Sequence, residues 1–192
     1  GDYAGFKDVV WVSESQIKED MDRAVVLLSS TKVFSENRVI FQSTKKYDYT
    51  SKIVTFELIQ EKKRVNVRKE FPIRGPICDD VTMVYVFNKI APSTNGKIIP
   101  RFYLLTDESK LYHVMVKQRA DEVLHYPSGQ RETEKFQLMA DLGPLTEPAS
   151  KIVPPTYVWF SKEDARHWIQ YEGMETGYET ANIVAYKVDD TL

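Results

Sequence analysis

From Val33 to Lys117 the apolar residues keep to alternate positions, and a chain with that period can shelter one side only by pairing strands into a sheet. Val39 and Phe41 set the phase, Ile53, Thr55, Glu57 and Ile59 repeat it, and Val65, Val67 and Lys69 continue it. Between the last two runs, Glu61-Lys62-Lys63-Arg64 has the length and polarity of a hairpin turn, and Gly75-Pro76 closes the strand that follows. Phe102 to Leu105 and Leu111 to Val116 flank Asp107-Glu108-Ser109-Lys110, a charged connection that predicts a second hairpin. The apolar run Thr82 to Phe87 predicts a central strand, Asn95-Gly96 a turn, and Ile183 to Val188 a last strand.

A different period opens the chain. Ile17, Met21, Ala24, Val25 and Leu28 make one helical stripe behind Val9 to Val12, with Ser13 and Gln16 spaced as a capping box and Glu14 in the first turn. Near the other end, Val158-Trp159-Phe160-Ser161 repeats the pattern of Val10-Trp11-Val12-Ser13. It predicts a second helix that starts behind Ser161, buries Ala165, Trp168 and Ile169, and stops near Gly173. Both Trp11 and Trp159 are expected in the core at strand ends, each indole N–H finding a carbonyl. The expected fold is α+β: one mostly antiparallel twisted sheet of roughly seven to ten strands, with an N-terminal and a C-terminal amphipathic helix packed on it.

A chain of 192 residues with 42% hydrophobic content can bury a sizeable core, so one domain over residues 1–192 is expected. The proline-rich stretch 143–155 is read as a surface crossing rather than a linker, because too few residues follow it to fold alone. A start at Gly1 rather than Met gives the expectation of a piece processed or excised from a larger multidomain or viral-type protein. The apolar runs fall far short of the ~20 residues that span a bilayer. Together with the lone Cys78, that points to an intracellular protein with no membrane insertion.

Candidate chemistry is sparse. Twenty-six basic against 28 acidic residues leave a formal charge of −2, too small for a field that would gather nucleic acid. A local basic patch of Lys45, Lys46, Lys62, Lys63, Arg64 and Arg68, with Tyr47 and Tyr49 to stack bases, nevertheless keeps a nucleic-acid-binding sheet face as an alternative. Interspersed Glu57, Glu61 and Glu70 argue for an ordinary solvated face. Asp48 with Glu61-Lys62-Lys63 imitates a metal nuclease, but the triplet falls in the expected turn. Asp79 and Asp80 should raise the Cys78 thiol rather than activate it, and His125 and His167 have no acid that the sequence can place. No catalytic residue, metal site or cofactor is assigned.

Leu111-Tyr112-His113, then Tyr157 to Ser161 with Ala165 and Trp168, then Ile183 to Tyr186 weakly resemble the small ADP-ribosyltransferase-like fold over less than half the chain. The resemblance implies a strand-borne His113 and a Trp strand entering a helix around nicotinamide dinucleotide. Val114-Met115 replace the polar pair usual after the histidine, and no late glutamate follows Tyr186. The expectation that remains is a non-catalytic protein-interaction or assembly module with a protein partner or self-association. Its contacts are placed on the polar stretch 118–135 and the crossing 143–155, with Tyr126, Leu145 and Ile152 as anchors.

Overall fold

Branched and aromatic residues at alternating positions do become strands here, over far more of the chain than the sequence pattern indicates. The computed structural model describes residues 8–19, 23–61, 64–90, 98–126, 129–146, 155–162, 167–174 and 182–186. The chain divides into two compact units, one of residues 1–86 with 104–111, the other of residues 87–103 with 112–192.

The first unit is an antiparallel meander in the order β1 (Val10–Glu19), β2 (Ala24–Ser35), β3 (Arg38–Asp48), β4 (Ile53–Gln60) and β5 (Val65–Pro72). Its turns follow from local chemistry. Glu36 and Asn37 both take positive φ, 50° and 63°, between the paired residues Ser35 and Arg38, as a two-residue hairpin turn requires. At the next corner Asp48 Oδ1 accepts the N–H groups of Thr50 and Ser51 at 2.8 and 3.1 Å. A hydrogen bond from the Ser51 side chain first, and then those from the Ser51 and Thr50 N–H groups, lower the Asp48 carboxyl below the usual carboxylate range. The expected turn at 61–64 joins β4 to β5, with Arg64 N–H on the Glu61 carbonyl at 3.0 Å.

The N-terminal helix does not form: of its stripe, Ile17 lies in β1 and Ala24, Val25 and Leu28 in β2, while Met21 lies outside the described residues. Ala24, Val26, Ser29, Thr31, Val33 and Ser35 are the buried positions of β2, so small hydroxyl residues share the inner face with valines and hide the two-residue period. Ser13, expected as a helix cap, instead lies in β1 with its Oγ 3.2 Å from Thr31 Oγ1. Trp11 is not a core residue. It is 38% exposed, its ring 6.5 Å from that of Phe41 beside the cluster of Val33, Ile40 and Phe41.

Thr82 to Phe87 was the opposite case, an expected strand that is a helix, α1 (Met83–Ile90). Asp79 and Thr82 bond reciprocally at its start: Asp79 Oδ1 accepts Thr82 N–H at 2.9 Å, and Thr82 Oγ1 accepts Asp79 N–H at 3.1 Å. This capping box outweighs the strand preference of the valines. Met83, Val86 and Phe87 then form one buried stripe with Tyr85 on the wet side.

The second sheet runs β13 (Asn182–Tyr186), β12 (Trp168–Met174), β11 (Thr156–Ser161), β10 (Gly129–Ala140), β8 (Leu111–Gln118), β7 (Ile98–Leu105) and β6 (Ile77–Cys78), with β9 (Glu122–Tyr126) pairing β10. The expected hairpin around residues 106–110 is the β7–β8 pair. Phe87 packs between Phe102, Phe136 and Phe160, with ring centroids 6.3, 5.2 and 5.3 Å away. Trp159 is buried as expected, although its indole N–H goes to Glu122 Oε2 at 3.0 Å and not to a carbonyl.

The C-terminal helix is also overturned, since Trp168–Met174 is a strand paired antiparallel to β11. Ser161 Oγ, the expected cap, accepts His167 N–H at 3.1 Å. Ala165 lies outside the described residues. Gly173 belongs to that strand for a steric reason: a Cβ there would stand 2.9 Å from both Thr156 Cγ2 and Oγ1. The fold is therefore mostly β, with two sheets and, among the described residues, one helix that lies mid-chain rather than at either end.

Candidate functional site

Three groupings stand out among the described residues. The first is an edge. β1 is the outer strand of the five-stranded sheet, ten residues long, and every side chain but the half-buried Ile17 is exposed. Val10 and Val12 are 59% and 40% exposed. Register carries the apolar surface inward along the same face, since Val10 opposes Phe34, Phe34 opposes Val39, and Val12 leads through Lys32 and Gln42 to Ile59. An outer strand with exposed apolar side chains is a template for another strand.

The second grouping is buried in the first unit. Phe41, Ser43, Lys45 and Tyr47 are the inward phase of β3, opposite Gln60, Leu58, Phe56 and Val54 of β4. Lys45 is 1% exposed. Its Nζ donates to Asp107 Oδ1, which also accepts Ser43 Oγ–H at 2.7 Å. Asp107 belongs to the β7–β8 turn, which Lys69 Nζ also holds through Ser109 Oγ at 2.8 Å. Tyr47 O–H donates to Asp79 Oδ2 at 2.9 Å.

Part of Asp80 reaches solvent, but its Oδ2 does not and has no hydrogen-bond partner among the described residues. Burial pushes the Asp80 carboxyl up to about 7, helped by Asp107 and Asp79 and opposed by Lys45 and the Asp107 N–H. Burial alone would lower the Lys45 ammonium, yet Asp79, Asp107 and Asp80 together raise it. The Cys78 thiol rises as expected from its sequence neighbours, although burial is the larger cause and Asp79 and Asp80 add to it.

The third grouping is on the second sheet. His113 Nδ1 lies 3.1 Å from Asp141 Oδ2, Arg101 Nε is 3.1 Å from the same oxygen, and the Tyr103 ring stacks on the imidazole at 4.8 Å. A carboxylate on Nδ1 fixes an imidazole as a general base would need. Among the described residues, however, no Ser, Thr or Cys bonds to His113, and Arg101 shares the oxygen that would orient it. The helix that the ADP-ribosyltransferase-like resemblance requires after Ser161 is replaced by β12 from Trp168 onward.

The residues singled out from sequence scatter. Lys45 is inside and Lys46 outside, on opposite faces of β3. Lys46 shares its face with Arg68, whose Nε is 3.9 Å from Glu57 Oε1. Arg64 is exposed at the β4–β5 turn, and Lys62 and Lys63 lie outside the described residues. The stretch 118–135 is no loop but the β9–β10 hairpin, held by Lys135 Nζ on Glu122 Oε2 at 2.9 Å and over the Tyr157 and Trp159 rings. Tyr126 is half-buried and gives its hydroxyl to Gln170 Oε1 at 2.9 Å. Leu145 stands 65% exposed in the short 3-10 turn Gly143–Leu145, beside Leu142 at 51%. Ile152 lies outside the described residues.

Sequence reading missed Asp80 and Asp107 as partners of Lys45. The available signal was phase: Lys45 falls in step with Phe41 and Tyr47, where a lysine demands a buried counter-charge. No helix among the described residues is long and apolar enough to cross a membrane. No family model, curated protein or solved structure matches the chain.

Proposed function

We propose that the chain is a non-catalytic assembly module that associates with a second copy of itself through β1. The observation that carries this reading is the ten-residue outer strand, exposed along nearly its whole length, with Val10 and Val12 open to solvent. Strand addition supplies affinity through peptide hydrogen bonds and specificity through alternate side chains. Charge favours a second copy as the occupant. Glu14 and Lys18 flank Gln16 symmetrically, so two antiparallel β1 strands centred on Gln16 set each Glu14 opposite a Lys18. Opposed charges across a strand pair add roughly 0.2–1 kcal/mol each.

Light scattering on the purified chain over a range of concentrations tests this. A dimer that reverts to monomer in Val10→Lys/Val12→Lys supports it. A monomer at every concentration, or a dimer indifferent to those changes, refutes it.

A further inference from the structure

The buried Lys45 grouping has a feature that an ordinary ion pair does not need: a second carboxyl, Asp80, beside it with one buried oxygen to which no described residue bonds. We propose that Lys45 and Asp107 condense into an intramolecular amide, cross-linking β3 to the β7–β8 turn with Asp80 as the neighbouring acid. This inference is independent of strand pairing at β1.

Each requirement of the reaction has a counterpart in the fold. The amine and the carboxyl are already in hydrogen-bond contact, and both side chains are buried, 1% and 10% exposed. Held reactants of this kind reach effective concentrations of about 10⁵ M or more, which is what an otherwise slow amide condensation needs. Ser43 Oγ–H holds Asp107 Oδ1 from the strand side, and Phe56 lies opposite Lys45 on β4, keeping that wall apolar. Asp80 accepts the Asp107 backbone N–H, so its carboxyl is fixed next to the reacting group, and it stays protonated up to about 7.

The atoms balance without any added reagent. The Lys45 ammonium passes one proton to the Asp107 carboxylate, leaving an amine and a carboxylic acid. The amine lone pair attacks Asp107 Cγ and forms the C–N bond. Asp80 lends its proton to the oxygen on which charge develops and recovers one from the nitrogen. The Cγ–O bond breaks and the oxygen leaves as water. Nothing is oxidised or reduced, and Asp80 ends as it began. A water-poor surrounding favours the products, since water is one of them.

Mass spectrometry of the intact, denatured full chain decides the matter. The expected mass is about 18 Da below that of the sequence, one water lost, with a proteolytic fragment joining the peptides that contain Lys45 and Asp107. Lys45→Arg and Asp107→Ala should show their full sequence masses. Asp107→Asn should form the same link by losing ammonia, about 17 Da. Asp80→Asn should leave the pair largely unlinked while circular dichroism stays native, and Asp80→Glu should restore linkage. A natively folded chain that keeps its full mass overturns the proposal whatever the variants do. The same loss of mass in Lys45→Arg also overturns it, because an aspartyl succinimide would then explain the missing water.

Discussion

The inner side of β3 and the aromatic cluster around Phe87 are both closed to solvent, yet they are built on opposite principles. Ser43, Lys45 and Tyr47 are held by directed bonds to Asp107 and Asp79. Phe87, Phe102, Phe136 and Phe160 are held by tilted and edge-on ring contacts without a polar atom among them. The lesson is one of tolerance. A ring cluster accepts any side chain of similar bulk, whereas a buried ion pair accepts only its own partner, because removing either member strands a charge.

The sharpest break of that comparison is Lys45→Met against Phe136→Leu, two changes that nearly conserve volume. In unlinked protein the first should cost about 3–5 kcal/mol in denaturant titration, since Asp107, Asp79 and Asp80 lose their cation. The second should cost less than about 1.5 kcal/mol. Equal costs would mean that the polar interior is as forgiving as the aromatic one.

Acidity sharpens it next. The folded Asp80 carboxyl titrates at about 7, facing Lys45, Asp107 and Asp79, against about 3.9 in an unfolded chain. A raised carboxyl means that the folded form binds the extra proton. Its stabilising contribution is whole below about pH 4 and lost as pH rises through about 7. In unlinked protein, the stability difference between the native chain and Asp80→Asn should therefore shift by a few kcal/mol across that window. A flat difference would remove Asp80 from the buried grouping.

Smaller effects follow in the second sheet and at the edge. Gly173→Ala should destabilise by about 1–3 kcal/mol, because its Cβ meets Thr156. Val10→Lys/Val12→Lys should alter monomer stability by less than about 0.5 kcal/mol, as exposed positions usually do, while abolishing association. A large loss of stability in that pair would show that the outer strand is not a free surface.

How far the sequence was readable depends on how clean each alternation was. β4 and β5 have one apolar phase and a charged turn, and β7 and β8 have a turn rich in charge, so both hairpins could be read directly. β2 could not, because Ser29 and Thr31 occupy inward positions where an apolar residue is expected. The stripe from Ile17 to Leu28 took its helical spacing from two different strands. Trp168-Ile169-Gln170-Tyr171 carries strand-favouring residues, but Glu163 and Asp164 after a serine have the sequence pattern of a helix start. In α1 the decisive signal was present and outweighed: Asp79 and Thr82 are a cap, whereas the valines after them suggest a strand.

The buried grouping was half legible. Lys45 reads as a surface base because Lys46 next to it, and Arg68 and Lys69 of β5, are outside. Asp107 is more than 60 residues away in sequence from Lys45, and nothing short of strand register brings the two together. Pairings at that separation are set by the whole sheet, not by any window of sequence.

Asp79 belongs to two masters. One oxygen receives the Tyr47 hydroxyl from β3, while the other receives the N–H groups of Val81 and Thr82 that begin α1. Neither the first turn of the helix nor that stretch of β3 can therefore come loose without disturbing the other. Amide exchange at Val81 and Thr82 should keep step with exchange around Tyr47, which makes a tyrosine hydroxyl of one strand the latch on a helix.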